Sequence, residues 1–96
     1  MKLEYAAGFF DGEGNADIWN KKYKYLRARI GNRNFKVINM LKKMWGGNIW
    51  RTHTTAGNKF YVWQVHGEGA HEFLSAIYPY LVIKQTKVGH LLKESR

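Results

Sequence analysis

Apolar positions along the chain switch between two periods. Over residues 3–12, LEYAAGFFDG, they recur at helical spacing, with Leu3, Ala6, Ala7 and Phe10 on one face and Tyr5, Gly8, Phe9 and Gly12 on a second. A helix that is apolar on two faces is covered from two sides. Gly14 supplies the break. Residues 15–22 and 23–31 read as strands. In the second, Leu26, Ala28 and Ile30 alternate with Tyr25, Arg27 and Arg29, apolar inward and basic or aromatic outward. The link around Lys21–Lys24 has no glycine turn signal, so the boundary there stays open. Residues 34–45 are helical, with Val37, Ile38, Leu41, Met44 and Trp45 on the apolar side, Asn34 as N-cap and Gly46-Gly47 as stop.

Strands follow over NIWRTH (48–53) and KFYVWQVH (59–66), around a turn with Gly57 and Asn58. Residues 70–81 form another helix, with Phe73, Leu74 and Ile77 inward and Pro79 ending it. A last short helix spans 84–94, with Val88, Leu91 and Leu92 on its apolar side. The order α-β-β-α-β-β-α-α predicts an α+β fold of two layers, a four-stranded antiparallel sheet with helices on one face. Residues 1–96 make one domain at this length.

Charge sharpens this picture. Sixteen lysines and arginines face seven acids, a net charge of +9. Nine of the cations lie between Lys21 and Lys43, where there is no acid. A basic block interleaved with Tyr23 and Tyr25 on a strand favours nucleic acid, because phosphate binding releases counter-ions. A solubilising face is the plainer alternative. The block lacks the helical amphipathic pattern of a membrane-surface segment, and no apolar run approaches spanning length. There is no cysteine, so no disulfide framework or thiolate metal site. The four histidines, His53, His66, His71 and His90, show no paired metal spacing. The N-terminus has no signal-peptide pattern.

Asp11 and Glu13 stand at the end of the first helix, where the helix dipole disfavours acids. The stretch that holds them, AAGFFDGEG (Ala6 to Gly14), resembles the nine-residue signature of the LAGLIDADG homing endonucleases. It departs at Ala6, where leucine is usual, and has Glu13 in place of aspartate. The resemblance extends over essentially the whole chain, through the element order, the basic second strand, WGGNI at 45–49 and PYLVIK at 79–84.

That resemblance implies a single-motif enzyme working as a homodimer. The signature helices of two copies would meet along Tyr5, Gly8, Phe9 and Gly12, where glycines four apart permit close backbone approach. Glu13 would be the metal-binding acid, joined by the backbone carbonyl of Gly12. Two such acids near one axis call for a cation, Mg²⁺ or Mn²⁺ by their oxygen chemistry. Lys84 matches the family's active-site lysine. Asn32 matches a position that orients solvent, often held by the longer glutamine. Asp11 takes a structural or helix-end role. Arg33 and Lys36 are both candidates for a phosphate contact, and sequence does not choose between them.

The outward strand positions supply the contacts to double-stranded DNA: Asn15, Asp17, Trp19 and Lys21, then Tyr23, Tyr25, Arg27 and Arg29, then Asn48, Trp50 and Thr52. Arg27 and Arg29 lead as base readers. Trp19 and Trp50 would turn into the core if the register slipped by one. The fourth strand is apolar on both faces, which leaves Tyr61 and Trp63 unassigned. The implied activity is site-specific, metal-dependent cleavage of double-stranded DNA at a pseudo-palindromic target. The alternative is a non-cleaving regulator on the same scaffold, or a splicing maturase, under which alone RNA becomes a partner. A basic RNA-associated module without catalysis leaves the two-faced glycine helix unexplained. Such a protein would be intracellular, with the genome of its host, not secreted and with no membrane partner.

Overall fold

The computed structural model describes residues 1–95. Helix α1 spans Leu3–Glu13 and runs directly into strand β1, Gly14–Asn20. Strand β2 is Tyr25–Asn32, helix α2 Phe35–Trp45, β3 Asn48–His53 and β4 Lys59–His66. Helix α3 covers Glu68–Ile77, a 3₁₀ turn takes Tyr78–Tyr80, and α4 is Gln85–Glu94. The predicted order and the two-layer α+β architecture are therefore present. The sheet is antiparallel with strand order β1-β2-β4-β3, so β1 and β3 are its edges.

The helices cover the sheet face that carries Ala16, Leu26, Ala28, Ile30, Trp63 and Val65, all buried. Phe73 on α3 is the hub of the core. It meets the rings of Phe10, Trp45 and Trp63 edge-on, at centroid distances of 5.9, 4.8 and 4.9 Å. Such edge-to-face pairs match the positive ring edge to the negative face. Trp63 also donates from its indole Nε1 to the Gly46 carbonyl, at 2.7 Å. That bond and the Phe73 contact resolve the fourth strand: Trp63 and Val65 point inward, so Gln64 and His66 point out. Trp19 and Trp50 keep the outward register, at 45% and 41% exposure.

Three local expectations are corrected. The first hairpin turns where the link was expected, over residues 21–24, but both strands are two residues shorter there than expected, so Lys21 and Tyr23 sit in the turn and not on strands. Lys24 takes a left-handed φ of 59°, and its amide donates to the Asn20 carbonyl; no glycine announces that conformation. Met44 is 46% exposed, off the apolar side of α2. Gly14 ends α1 with an ordinary extended φ of −97°. It is needed for space, since a Cβ there would come within 2.4 Å of the Phe10 ring. The cap of α2 is as expected, with Asn34 Oδ1 accepting from the amides of Lys36 and Val37.

Two glycines with positive φ give a graded test of β3 and its turn. A Cβ on Gly47 (φ 89°) would lie 2.4 Å from the Gln64 carbonyl oxygen, whereas Gly57 (φ 84°) faces open space. Gly57→Ala is expected to cost about 1 kcal/mol, the left-handed penalty alone. Gly47→Ala is expected to cost at least about 2 kcal/mol more, because backbone cannot step aside. Denaturant unfolding of both variants measures the difference.

Candidate functional site

The last turn of α1 contains no basic residue to offset its dipole. The cation comes instead from far along the chain. Lys84 Nζ donates to the carbonyls of Asp11 and Phe10, at 2.8 and 3.3 Å, and its ammonium lies 5.8 Å from the centre of the Phe10 ring. Asp11 answers in the other direction. Its buried carboxylate accepts from the Val82 amide at 2.7 Å and the Lys84 amide at 2.9 Å. Burial pushes the Asp11 carboxyl up, but those amides, that of Ile83 and the charge of Lys84 outweigh it and hold the group below the usual carboxylate range. This reciprocal clasp ties the end of α1 to the segment before α4. Glu13, the last residue of α1, is left exposed beside it.

Glu13 opens onto the outer sheet face. It lines a hollow of about 300 Å³ with Asn15, Arg29, Gly31, Trp50, Phe60 and Val62. The register rules that face into cross-strand rows. Asn15, Arg29, Gln64 and Asn48 are paired in succession across β1, β2, β4 and β3. Asp17, Arg27 and His66 form the next row. Thr52 pairs with Phe60 near the β3–β4 turn. A row of amides around one arginine offers the donors and acceptors that read base edges.

The two leading arginines differ. Arg27 is held by Asp17 in a bidentate ion pair, Nε–Oδ1 2.9 Å and Nη2–Oδ2 2.6 Å. The hydrogen bond from Arg27 keeps the Asp17 carboxyl low against the opposing effect of burial, and the charges of Arg29 and Lys87 add to it. The same bond raises Arg27. Arg29 has no such partner among the described residues.

Asn32 is half-buried at the end of β2, and its Oδ1 accepts from the Asn34 amide at 2.8 Å. Arg33 and Lys36 are exposed where α2 begins. Tyr25 is exposed on β2, and Lys21 and Tyr23 project from the hairpin turn. Two contacts were not legible in the sequence. Gln64 joins the polar row only once Trp63 is known to point inward. Lys87 on α4 donates to Asn15 Oδ1 at 2.7 Å and adds a cation beside β1; residues 72 apart give no local signal of it.

The donor set for a divalent ion is small but chemically suited. Glu13 offers a carboxylate, and Gly12 offers a carbonyl from the last turn, where no intrahelical amide remains to accept from. Both are hard oxygen donors. Among the described residues no three His, Cys, Asp or Glu side chains gather as a metal cluster. One chain thus offers two oxygen donors at this helix end.

Along the second face of α1, Tyr5, Gly8 and Gly12 are exposed and Phe9 is partly buried. A Cβ on Gly8 or on Gly12 would meet nothing within 4 Å. Val82 and Ile83, next to the clasp, are 82% and 76% exposed.

The fold is similar to that of solved homing endonucleases. The structure of I-CvuI with its target DNA and calcium superposes with a TM-score of 0.71 at 17% identity, over 95% of this chain and 63% of that one. The archaeal intron-encoded I-Vdi141I, complexed with DNA, gives 0.65 at 17% identity, over 95% and 64%. A double lysine mutant of I-SmaMI gives 0.63 at 20% identity, over 96% of this chain and 34% of that one. No protein-family model and no curated protein matches the chain. The chain has the homing-endonuclease fold, and it spans about 63% of the length of I-CvuI.

The clasp has a pH signature. Because the Asp11 carboxyl is lowered in the fold, it stabilises fully above the unfolded carboxylate value of about 4, and this is lost as pH falls through the folded value. Asp11→Asn is expected to be less stable at neutral pH, since an amide accepts through one atom only and turns an N–H toward an N–H. Its stability should then fall less steeply on acidification than that of the parent. Denaturant midpoints between about pH 7 and pH 3 check both points.

Proposed function

We propose that the chain is a site-specific DNA endonuclease that acts as a homodimer on a pseudo-palindromic duplex. The observation that carries this reading is Glu13, exposed at a clasped helix end and opening onto a basic sheet face, within a fold shared with DNA-bound homing endonucleases. The outer face supplies recognition. Arg29, Gln64, Asn15 and Asn48 address base edges in the major groove, while Arg33, Lys36 and Lys87 anchor phosphates. Arg27, already forked onto Asp17, chiefly fixes the shape of the reading surface.

Homodimerisation is supported by the open glycine face of α1, which also carries Tyr5 and Phe9, and by the exposed apolar side chains of Val82 and Ile83. Small residues four apart let two helices approach closely. A second copy also brings a second Glu13 and a second Gly12 carbonyl, completing a donor set that one chain leaves partial. Structures of I-CvuI were solved with calcium and with magnesium, the latter with its DNA uncleaved. Glu13 and Gly12 would hold the ion in this protein. Bound there, Mg²⁺ or Mn²⁺ supplies a water of lowered pKa and charge to stabilise the departing oxygen. Lys84 has three ammonium hydrogens and donates two bonds to the helix end, leaving one for the phosphate. Asn32, braced at the β2–α2 corner, would orient solvent.

Incubating the protein with a randomised duplex library and Mg²⁺, Ca²⁺ or chelator tests the reading. Cleavage is expected with Mg²⁺ alone. Glu13→Gln should bind as the parent does and lose cleavage by at least about a hundredfold. Specific binding with no cutting under any metal would sink the enzyme reading and leave the regulator or maturase. Gly8→Leu should fold normally, since its side chain meets open space, yet give a light-scattering mass of one chain. A parent mass of one chain, with and without DNA, would overturn the dimer.

A further inference from the structure

The tip of the β1–β2 hairpin carries aromatic surface that neither the acidic end of α1 nor the polar row uses. Tyr23 and Tyr25 stack at 5.7 Å with an interplanar angle of 23°. Trp19 follows at 6.4 Å from Tyr25, and His66 at 5.5 Å from Trp19. The three larger rings are 45%, 48% and 41% exposed for Trp19, Tyr23 and Tyr25, so their mutual contact does not bury them. Lys22 Nζ lies 5.4 Å from the Tyr23 ring, and Lys21 and Lys24 flank it in the same turn. The nearest acid on the hairpin, Asp17, is neutralised by Arg27. Lys24 holds the turn in a left-handed conformation that a non-glycine residue adopts at a cost.

We infer that this ladder is a stacking platform for unpaired DNA bases. Flat rings at intervals, bordered by cations and free of unpaired acid, match a single strand, whose bases offer π faces and whose backbone offers charge. A duplex hides its base faces and could meet the rings only through edges, sugars and phosphates. Position agrees. β1 carries the chain from Glu13 to the tip over roughly 20 Å at strand rise, or about six base pairs along a duplex. The platform therefore lies outside the segment read by Arg29 and Gln64, where a flanking strand or an opened base step would reach it. The inference adds a ligand class to the proposed function and does not depend on cleavage.

The test is fluorescence anisotropy of labelled oligothymidylate and of a mixed-sequence duplex, both in chelator so that catalysis plays no part. The parent should bind oligothymidylate with quenching of tryptophan emission, and Trp19→Phe should remove most of that quenching. Tyr25→Leu keeps apolar bulk but loses the π face. It should weaken oligothymidylate binding about tenfold and duplex binding by clearly less. Tyr23→Leu, on the exposed turn, repeats the measurement should Tyr25→Leu melt early. Arg29→Ala should do the converse, weakening the duplex only. Equal losses on both ligands, or no loss on either, would show that the rings merely brace the hairpin and would overturn the inference.

Discussion

Everything at the candidate centre depends on the exchange between Asp11 and Lys84. A helix C-terminus is electronegative, and the last turn of this one carries two acids, Asp11 and Glu13. The chain resolves the conflict by sending the Asp11 carboxylate inward, onto the amides of Val82 and Lys84, and bringing an ammonium back to the helix carbonyls. Hydrogen bonds to charged groups contribute about 1.5–3 kcal/mol each. Several of them meeting at one point make the end of α1 a fixed object. Glu13 is thereby freed from any structural duty and left facing outward.

The core performs a second service for the same site. Phe73 gathers Phe10, Trp45 and Trp63, and so locks α1, α2 and β4 to α3 through one ring. Trp63 inward means Gln64 outward, which places the amide beside Arg29. The outer polar face is therefore specified from beneath, by packing, and not by contacts among its own side chains. The Asp17–Arg27 pair is the exception, a surface contact that stiffens one row and occupies one of the two β2 arginines.

Where pattern and physics act locally, the sequence was legible. The bounds of β3 and β4 agree with their apolar runs, the Asn34 cap falls where its side chain demands, and the β2 alternation gives the correct outward face. What escaped was set by long-range partners. The face of β4 could not be told from a strand apolar on both sides, because an indole bond to Gly46 decides it. The strand ends at the first hairpin stayed open because Lys24 accepts a conformation more usual for glycine or asparagine, with no glycine to mark it. Arg27 looked as free as Arg29 until the register set it opposite Asp17. The partners of Asp11, more than seventy residues away, leave no trace in local spacing.

The concentration of cations on one region has a further consequence. With sixteen basic against seven acidic residues, the free protein strains against itself, most of all if two such faces lie side by side. Dissolved ions relieve that tension, because the Debye length shortens to about 8 Å at physiological ionic strength. The same ions weaken the hold on a polyanion. On the proposed function, salt would therefore pull this molecule in two directions, steadying the solitary protein while loosening a grip on nucleic acid. A bound polyanion would satisfy both demands at once.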